Sequence, residues 1–217
     1  MTQQRSTRLT LDPHDSGFLN HAPVVFTQPR AQAPQDGSPQ VNISPLAVVA
    51  DPLQGLQWHI KNTGQAGGVA GVDIDVTRAW TDYTGRGVRI GIIDDGVDYT
   101  HSDLRANYNQ TLDRDFANND FDAMAMGGNN HGTAVAGVIA ADNNGLGLVG
   151  IAHDAQIAGL RVSYSGGTIG MFTNALANMK QFDVVNNSWG YVSPFSDNLN
   201  QSFFAGHKAA LISAVSE

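Results

Sequence analysis

The chain divides by the pattern of its apolar and polar positions. From residue 51 onward, short apolar runs alternate with longer amphipathic ones. Val-Arg-Ile-Gly-Ile-Ile at 88–93 follows a Gly-Arg-Gly turn at 85–87 and ends in Asp94-Asp95-Gly96. A short, β-branched apolar run of this kind predicts a fully buried strand of a parallel sheet. HGTAVAGVIAAD at 131–142 predicts a helix closed by Asn143-Asn144-Gly145. AQIAGLRV at 155–162 predicts a second strand, and GMFTNALANMK at 170–180 a second helix with Met171, Leu176 and Met179 at helical spacing. DVVNNS at 183–188 predicts a third strand. The segment 200–217 predicts a third helix whose apolar stripe runs through Phe204, Leu211, Ile212 and Val215.

Strands alternating with helices imply βαβ units and a mostly parallel sheet with helices packed on it. In such α/β sheets, sites form beyond the carboxyl ends of the strands. Three segments fall there: Asp94-Asp95-Gly96, the helix start at His131, and Asn187-Ser188-Trp189-Gly190. The helix from His131 is rich in small residues. Glycine inside a helix costs about 1 kcal/mol relative to alanine, so Gly132 and Gly137 predict close packing against a neighbour.

The first fifty residues differ. They hold six of the eight prolines, many Gln, Ser, Thr and Asn, and few apolar clusters. A segment of that kind buries too little surface to offset its ordering entropy, so residues 1–48 read as a disordered leader or linker ahead of a folded part at 49–217. No basic stretch followed by a long apolar run marks a signal peptide.

Charge and composition exclude several classes. Twelve Lys and Arg against twenty Asp and Glu give a net charge of −8, which disfavours nucleic acid and anionic membrane surfaces. No apolar run approaches the roughly 20 residues that span a bilayer. The absence of cysteine removes disulfides, thiolate metal sites and a cysteine nucleophile.

Asp94 and His131 form the first candidate pair. A carboxylate facing an imidazole fixes its tautomer and stabilises its protonated form, which is what a general base needs. A helix N-terminus by itself disfavours imidazolium. Spacing alone leaves a second reading open, in which the two residues have separate structural roles. Asp51, Asp103 and the loop 142–148 form a second constellation, because a loop leaving a helix offers the carbonyl and carboxylate oxygens that a hard cation takes. There too composition leaves an alternative, an Asn-Gly helix stop beside two surface aspartates. GLGLVG at 145–150 spells a dinucleotide fingerprint in the wrong context, after a helix and before a strand. His59, His153 and His207 read as structural, and Trp58, Trp80 and Trp189 as packing groups.

The wording of the motifs adds more. VRIGIIDDGVDYTHSDL, NNHGTAVAGVIAA and VVNNSWG occur in that order, and over residues 51–217 the chain resembles the subtilases, the subtilisin-like serine proteases. DDG, DPLQGLQWHI and the NNSWG strand resemble their kexin/furin-like branch. The resemblance implies a three-layer α/β fold with helices on both faces of the sheet. It implies Asp94 and His131 as two members of a triad, and Asp95 near the substrate's second pocket. Ser188, Trp189 and Gly190 then pair with substrate backbone as an added strand. It implies Ca²⁺ held by Asp51, Asp103, the side chain of Asn144 and the backbone carbonyls of Asp142, Leu146 and Leu148. It also implies a peptide or protein substrate and an extracellular location. Gly128 and Ser193 stand where the branch carries acidic residues, so the resemblance does not extend to strict cleavage after paired basic residues.

A triad also needs a serine in a G-T-S-x-A/P context and an oxyanion-hole asparagine, and none of the serines present has that context. The expectation is a catalytic domain incomplete at its C-terminus, uncovered apolar surface, and no peptidase activity from these residues alone. Two other classes stay open. One is a non-catalytic module that binds calcium and peptide. The other is a metal-dependent hydrolase built on DDGVDYTHSD.

Overall fold

The computed structural model describes residues 50–191 and 198–216. The leader expected at 1–48, and Ser193, lie outside the described residues. Four strands and three α-helices follow the order β1 (Arg89–Asp94), β2 (Arg114–Asp115), α1 (His131–Ala140), β3 (Gln156–Arg161), α2 (Ile169–Ala177), β4 (Val184–Asn187) and α3 (Ala205–Ala214). The sheet order is β2-β3-β1-β4, and every strand pair is parallel.

The chain path and the packing define the layers. From β1 the chain runs to β2 at the sheet edge, returns through α1 to β3, and then passes β1 through α2 to β4. The steps β2 to β3 and β3 to β4 run in the same direction across the sheet, yet α1 and α2 lie on opposite faces, so one of the two crossovers departs from the usual right-handed sense. The two cores show the placement. Ile90, Ile92 and Ile157 pack with Ala136 and Ala140 of α1. Ile93, Ala158 and Leu160 pack with Ala175 and Leu176 of α2 and Ala210 of α3. The sheet is therefore covered on both faces.

Of the two helical glycines, only Gly132 meets a tight neighbour. A Cβ there collides with the Gly96 carbonyl and stands 2.9 Å from Asp94 Cβ, whereas at Gly137 it meets only Leu148 Cδ1 at 3.8 Å. The close approach lies at the amino end of α1, where it presses the helix start onto the end of β1.

Three expectations are corrected. α1 ends at Ala140, and Asp142 belongs to the loop, where its N–H donates to the Asp103 carbonyl at 2.8 Å. Met179 leaves α2 for a separate 3₁₀ turn, Met179–Gln181. In the last helix the buried stripe is Phe204, His207 and Ala210, while Ile212 and Val215 are more than half exposed. Among the described residues no helix is long and apolar enough to cross a membrane.

Candidate active site

Asp94 is the last residue of β1 and His131 the first of α1. The sheet and the close approach at Gly132 bring them together. His131 Nδ1 lies 2.8 Å from Asp94 Oδ1 and 3.0 Å from Oδ2. An ionised carboxylate only accepts, so Nδ1 carries the proton and Nε2 keeps its lone pair. The carboxylate is fully buried while the imidazole is about half exposed, at 0% and 53% of side-chain area. The Asp94 hydrogen bond raises the His131 pKa above its ordinary value, against an opposing desolvation effect. That direction reverses the depression a bare helix N-terminus gives.

Asp95 has a definite task. Asn130 precedes α1 without making a side-chain cap. Asp95 Oδ1 instead accepts the Gly132 N–H at 2.8 Å, and Oδ2 the His131 N–H at 3.4 Å. The strand end thus caps the helix start, satisfying two of its orphan donors.

Beyond the imidazole runs an open groove of about 330 Å³, lined by His131, Ala134, Val135, Val138, Ile139, Asn186 and Ser188. Val138 is 42% exposed, so α1 shows an apolar flank beside a polar ring. Ser188 Oγ accepts from Asn186 Nδ2 at 2.8 Å. The segment Ser188-Trp189-Gly190 leaves β4 without further regular structure. Ser188 and Gly190 are exposed, and Trp189 turns inward onto Phe172 with ring centroids 4.6 Å apart. Exposed residues on either side of an inward-turned ring leave their backbone groups accessible, as pairing with an extended peptide requires.

The second constellation also assembles. Asp51 and Asp103 are buried at 2% and 3% exposure. Asp51 Oδ1 accepts the Gly145 N–H at 2.6 Å, and Asp103 Oδ2 the Leu148 N–H at 3.2 Å. Their other oxygens, Asp51 Oδ2 and Asp103 Oδ1, are buried without a partner. Burial raises the Asp51 pKa, and the Asp103 charge adds to it. The loop curls tightly around Asp103: Gly147 has φ of 51°, and a Cβ there collides with the Asp103 carboxylate. Asn144 Oδ1 accepts the Leu146 N–H at 2.9 Å, and the Asp142 carbonyl accepts the Asn144 N–H at 3.0 Å. Two buried carboxylate oxygens without donors fit a hard cation.

The metal-hydrolase cluster does not assemble. Asp98 Oδ1 is taken by the N–H and hydroxyl of Thr100, and His101 Nδ1 accepts the Asp103 N–H at 3.2 Å. Among the described residues no group of three or more His, Cys, Asp or Glu side chains is placed to hold a metal.

Two features at the strand ends escape the sequence reading. Arg161 ends β3 beside Asp94 in register, yet its guanidinium pairs with buried Asp115 of β2. Tyr164, three residues beyond β3, donates its hydroxyl to Asp94 Oδ1 at 2.9 Å. Neither belongs to a motif. Only the strand register could have pointed to them.

An Asp–His pair at the carboxyl end of β1 in a parallel α/β sheet, with the imidazole lining a groove, is an arrangement able to accept and return a proton, as a hydrolase site requires. Comparison with known proteins names the family. Residues 85–216 match the Subtilase family (peptidase S8). Neuroendocrine convertase 2 of Caenorhabditis elegans is 44% identical over 129 residues, covering 57% of this chain and 20% of that protein. The Bos taurus convertase 2 is 42% identical over 150 residues, covering 65% and 24%. Among solved structures, the Aeromonas sobria serine protease in complex with its chaperone superposes with TM-score 0.65 at 27% identity, covering 76% of this chain and 29% of that one. Fervidolysin from Fervidobacterium pennivorans shares the fold, with TM-score 0.54 at 21% identity over 88% of this chain and 28% of that one. The chain belongs to the subtilase family. It spans a fifth to a quarter of the length of these curated relatives.

Proposed function

We propose that these residues supply the proton-transfer half of a calcium-binding serine endopeptidase of the subtilase type. The observation that carries the reading is the His131–Asp94 contact, with both carboxylate oxygens within 3.0 Å of Nδ1 and the His131 ring lining the groove. In this role Nε2 accepts the proton of an attacking hydroxyl, Asp94 stabilises the imidazolium, and Nε2 then protonates the leaving amine. Ser188, Trp189 and Gly190 hold the substrate backbone as an added strand. Asp95 braces the helix start beside the substrate's second pocket. Asp51 and Asp103, with Asn144 and the carbonyls of Asp142, Leu146 and Leu148, are the residues that hold Ca²⁺. Bound there, the ion neutralises two buried carboxylates and fastens the loop.

The nucleophilic serine and oxyanion donor, in this reading, come from a segment outside these 217 residues. The substrate is a peptide or protein, and the site of action lies outside the cytosol. The name of the Aeromonas sobria serine protease supports the first point. The test compares the 217-residue chain with a longer protein that also carries the serine. The short chain leaves a fluorogenic peptide intact. The longer one cleaves it, and His131→Ala lowers kcat on the order of 10⁴-fold or more. Turnover in the longer protein that His131→Ala does not change refutes the reading.

A further inference from the structure

We propose that Tyr164 is a positioning residue for the Asp94–His131 pair: its hydroxyl fixes the rotation of the buried carboxylate and tempers its charge. The inference rests on the functional reading of that pair. Asp94 is fully buried, so its charge needs donors at close range. The cation beside it in the sheet register, Arg161, is committed to Asp115. Compensation therefore falls to neutral groups. Asp94 Oδ1 accepts the Asp95 N–H at 2.8 Å, the His131 Nδ1–H at 2.8 Å and the Tyr164 hydroxyl at 2.9 Å.

The phenol is placed by the sheet. β3 pairs with β1 along its whole length, and the Val162 N–H donates to the Asp94 carbonyl at 2.8 Å. The loop that carries Tyr164 starts two residues later and is pinned by Ser163, whose hydroxyl donates to the Ser165 carbonyl at 2.7 Å. Burial, and after it the hydrogen bond to Asp94, pushes the Tyr164 hydroxyl well above its ordinary range. In its neutral form the hydroxyl donates to the carboxylate, as the 2.9 Å contact shows. A hydroxyl dipole pointing at Oδ1 draws off part of the negative potential that the imidazole feels. The imidazole is faced by Asp94 and Asp95 from the end of β1, while among the described residues the polar groups on the groove side are the neutral Asn186 and Ser188. Tyr164 reaches the imidazole only through Asp94, and so its effect is to set how basic His131 is.

The experiment is an NMR titration of the His131 imidazole in the 217-residue chain, with the Nδ1–H resonance followed in parallel. Tyr164→Phe keeps the ring and removes the donor. His131 then titrates higher, by roughly half a pH unit, and the Nδ1–H resonance moves. A fluorinated tyrosine at 164, a stronger donor of the same shape, shifts the titration the opposite way and covers the case of a Phe variant that fails to fold. A His131 pKa unchanged by either replacement, in protein whose circular dichroism is unaltered, overturns the inference. The readout needs no peptide turnover, so the two readings fail separately. Loss of the Tyr164 effect leaves Asp94 and His131 as a pair, whereas an Asp94→Asn variant without effect on His131 removes the pair itself.

Discussion

Asp95 caps the helix that His131 begins, its Oδ1 accepting the Gly132 N–H at 2.8 Å. Neighbouring carboxylates at the end of one strand thus divide the work. Asp94 holds the imidazole ring, and Asp95 holds the backbone that carries it. Asp95→Ala removes the cap and one favourable charge at the helix dipole, a loss of about 1 kcal/mol. Urea unfolding measures the stability. Broadening of the His131 Nδ1–H resonance reports the loosened helix start.

Asp94→Asn lowers the His131 pKa, because the hydrogen bond to Asp94 is the largest cause of its rise. The sign for stability follows from linkage. A folded pKa above the unfolded value of about 6.5 means that the folded chain holds its proton more tightly. The contribution is fully present below that unfolded value and is lost as pH rises through the higher folded one. Difference denaturation curves of wild type and Asp94→Asn between pH 5 and 9 show this slope. Parallel curves contradict it.

His207 behaves in the opposite sense. It is buried at 3% exposure between α2 and the segment after β4, with Nδ1 2.8 Å from Thr173 Oγ1 and Nε2 2.9 Å from the Tyr191 hydroxyl. The Thr173 hydroxyl donates to the Ile169 carbonyl at 2.9 Å, so it accepts from Nδ1–H and leaves Nε2 to accept from Tyr191. Burial lowers the His207 pKa. Its contribution is therefore full above the unfolded value of about 6.5 and is lost as pH falls through the lower folded value. His207→Gln flattens this acid limb of the stability curve and costs about 1–2 kcal/mol at neutral pH. Trp189 fluorescence is the probe, since its ring meets Tyr191 edge to face with centroids 6.1 Å apart.

The proposed calcium site at Asp51 and Asp103 predicts that calcium raises the melting temperature. An ion at one hundred times its Kd adds about 2.7 kcal/mol. Chelation removes that gain. Asp103→Ala abolishes the calcium response while leaving the chelated protein foldable, because it also deletes a buried carboxylate oxygen without a donor. A melting temperature independent of calcium in the wild type refutes the site.

Much of the scaffold was readable from pattern. Buried parallel strands are short apolar runs, and β1 and β3 fell within one residue of their predicted ends. β2 was not readable. It is two residues long and exists through pairing with Leu160 and Arg161 of β3. The buried stripe of α3 was misplaced because periodicity identifies an apolar face without showing which neighbour covers it. Ala210 packs into the core with α2 and Phe204 packs on Tyr191 and His207, whereas Ile212 and Val215 are more than half exposed. At the site, Asp94 and His131 announced themselves through their motifs, whereas Asp95 as helix cap and Tyr164 as hydroxyl donor had no local signature.

The sequence alone determined which segments become the longer strands and the α-helices, since apolar spacing and glycine or asparagine stops act over a few residues. It also determined the identity of the Asp–His pair, because motif order survives without coordinates. Only the tertiary structure decided which groups share the Asp94 carboxylate, where the charge of Arg161 goes, and which carboxylate oxygens are left buried without donors. Those outcomes depend on strand register and on loops from distant parts of the chain meeting in one low-dielectric space, where each polar group must take its partner from whatever the fold brings near.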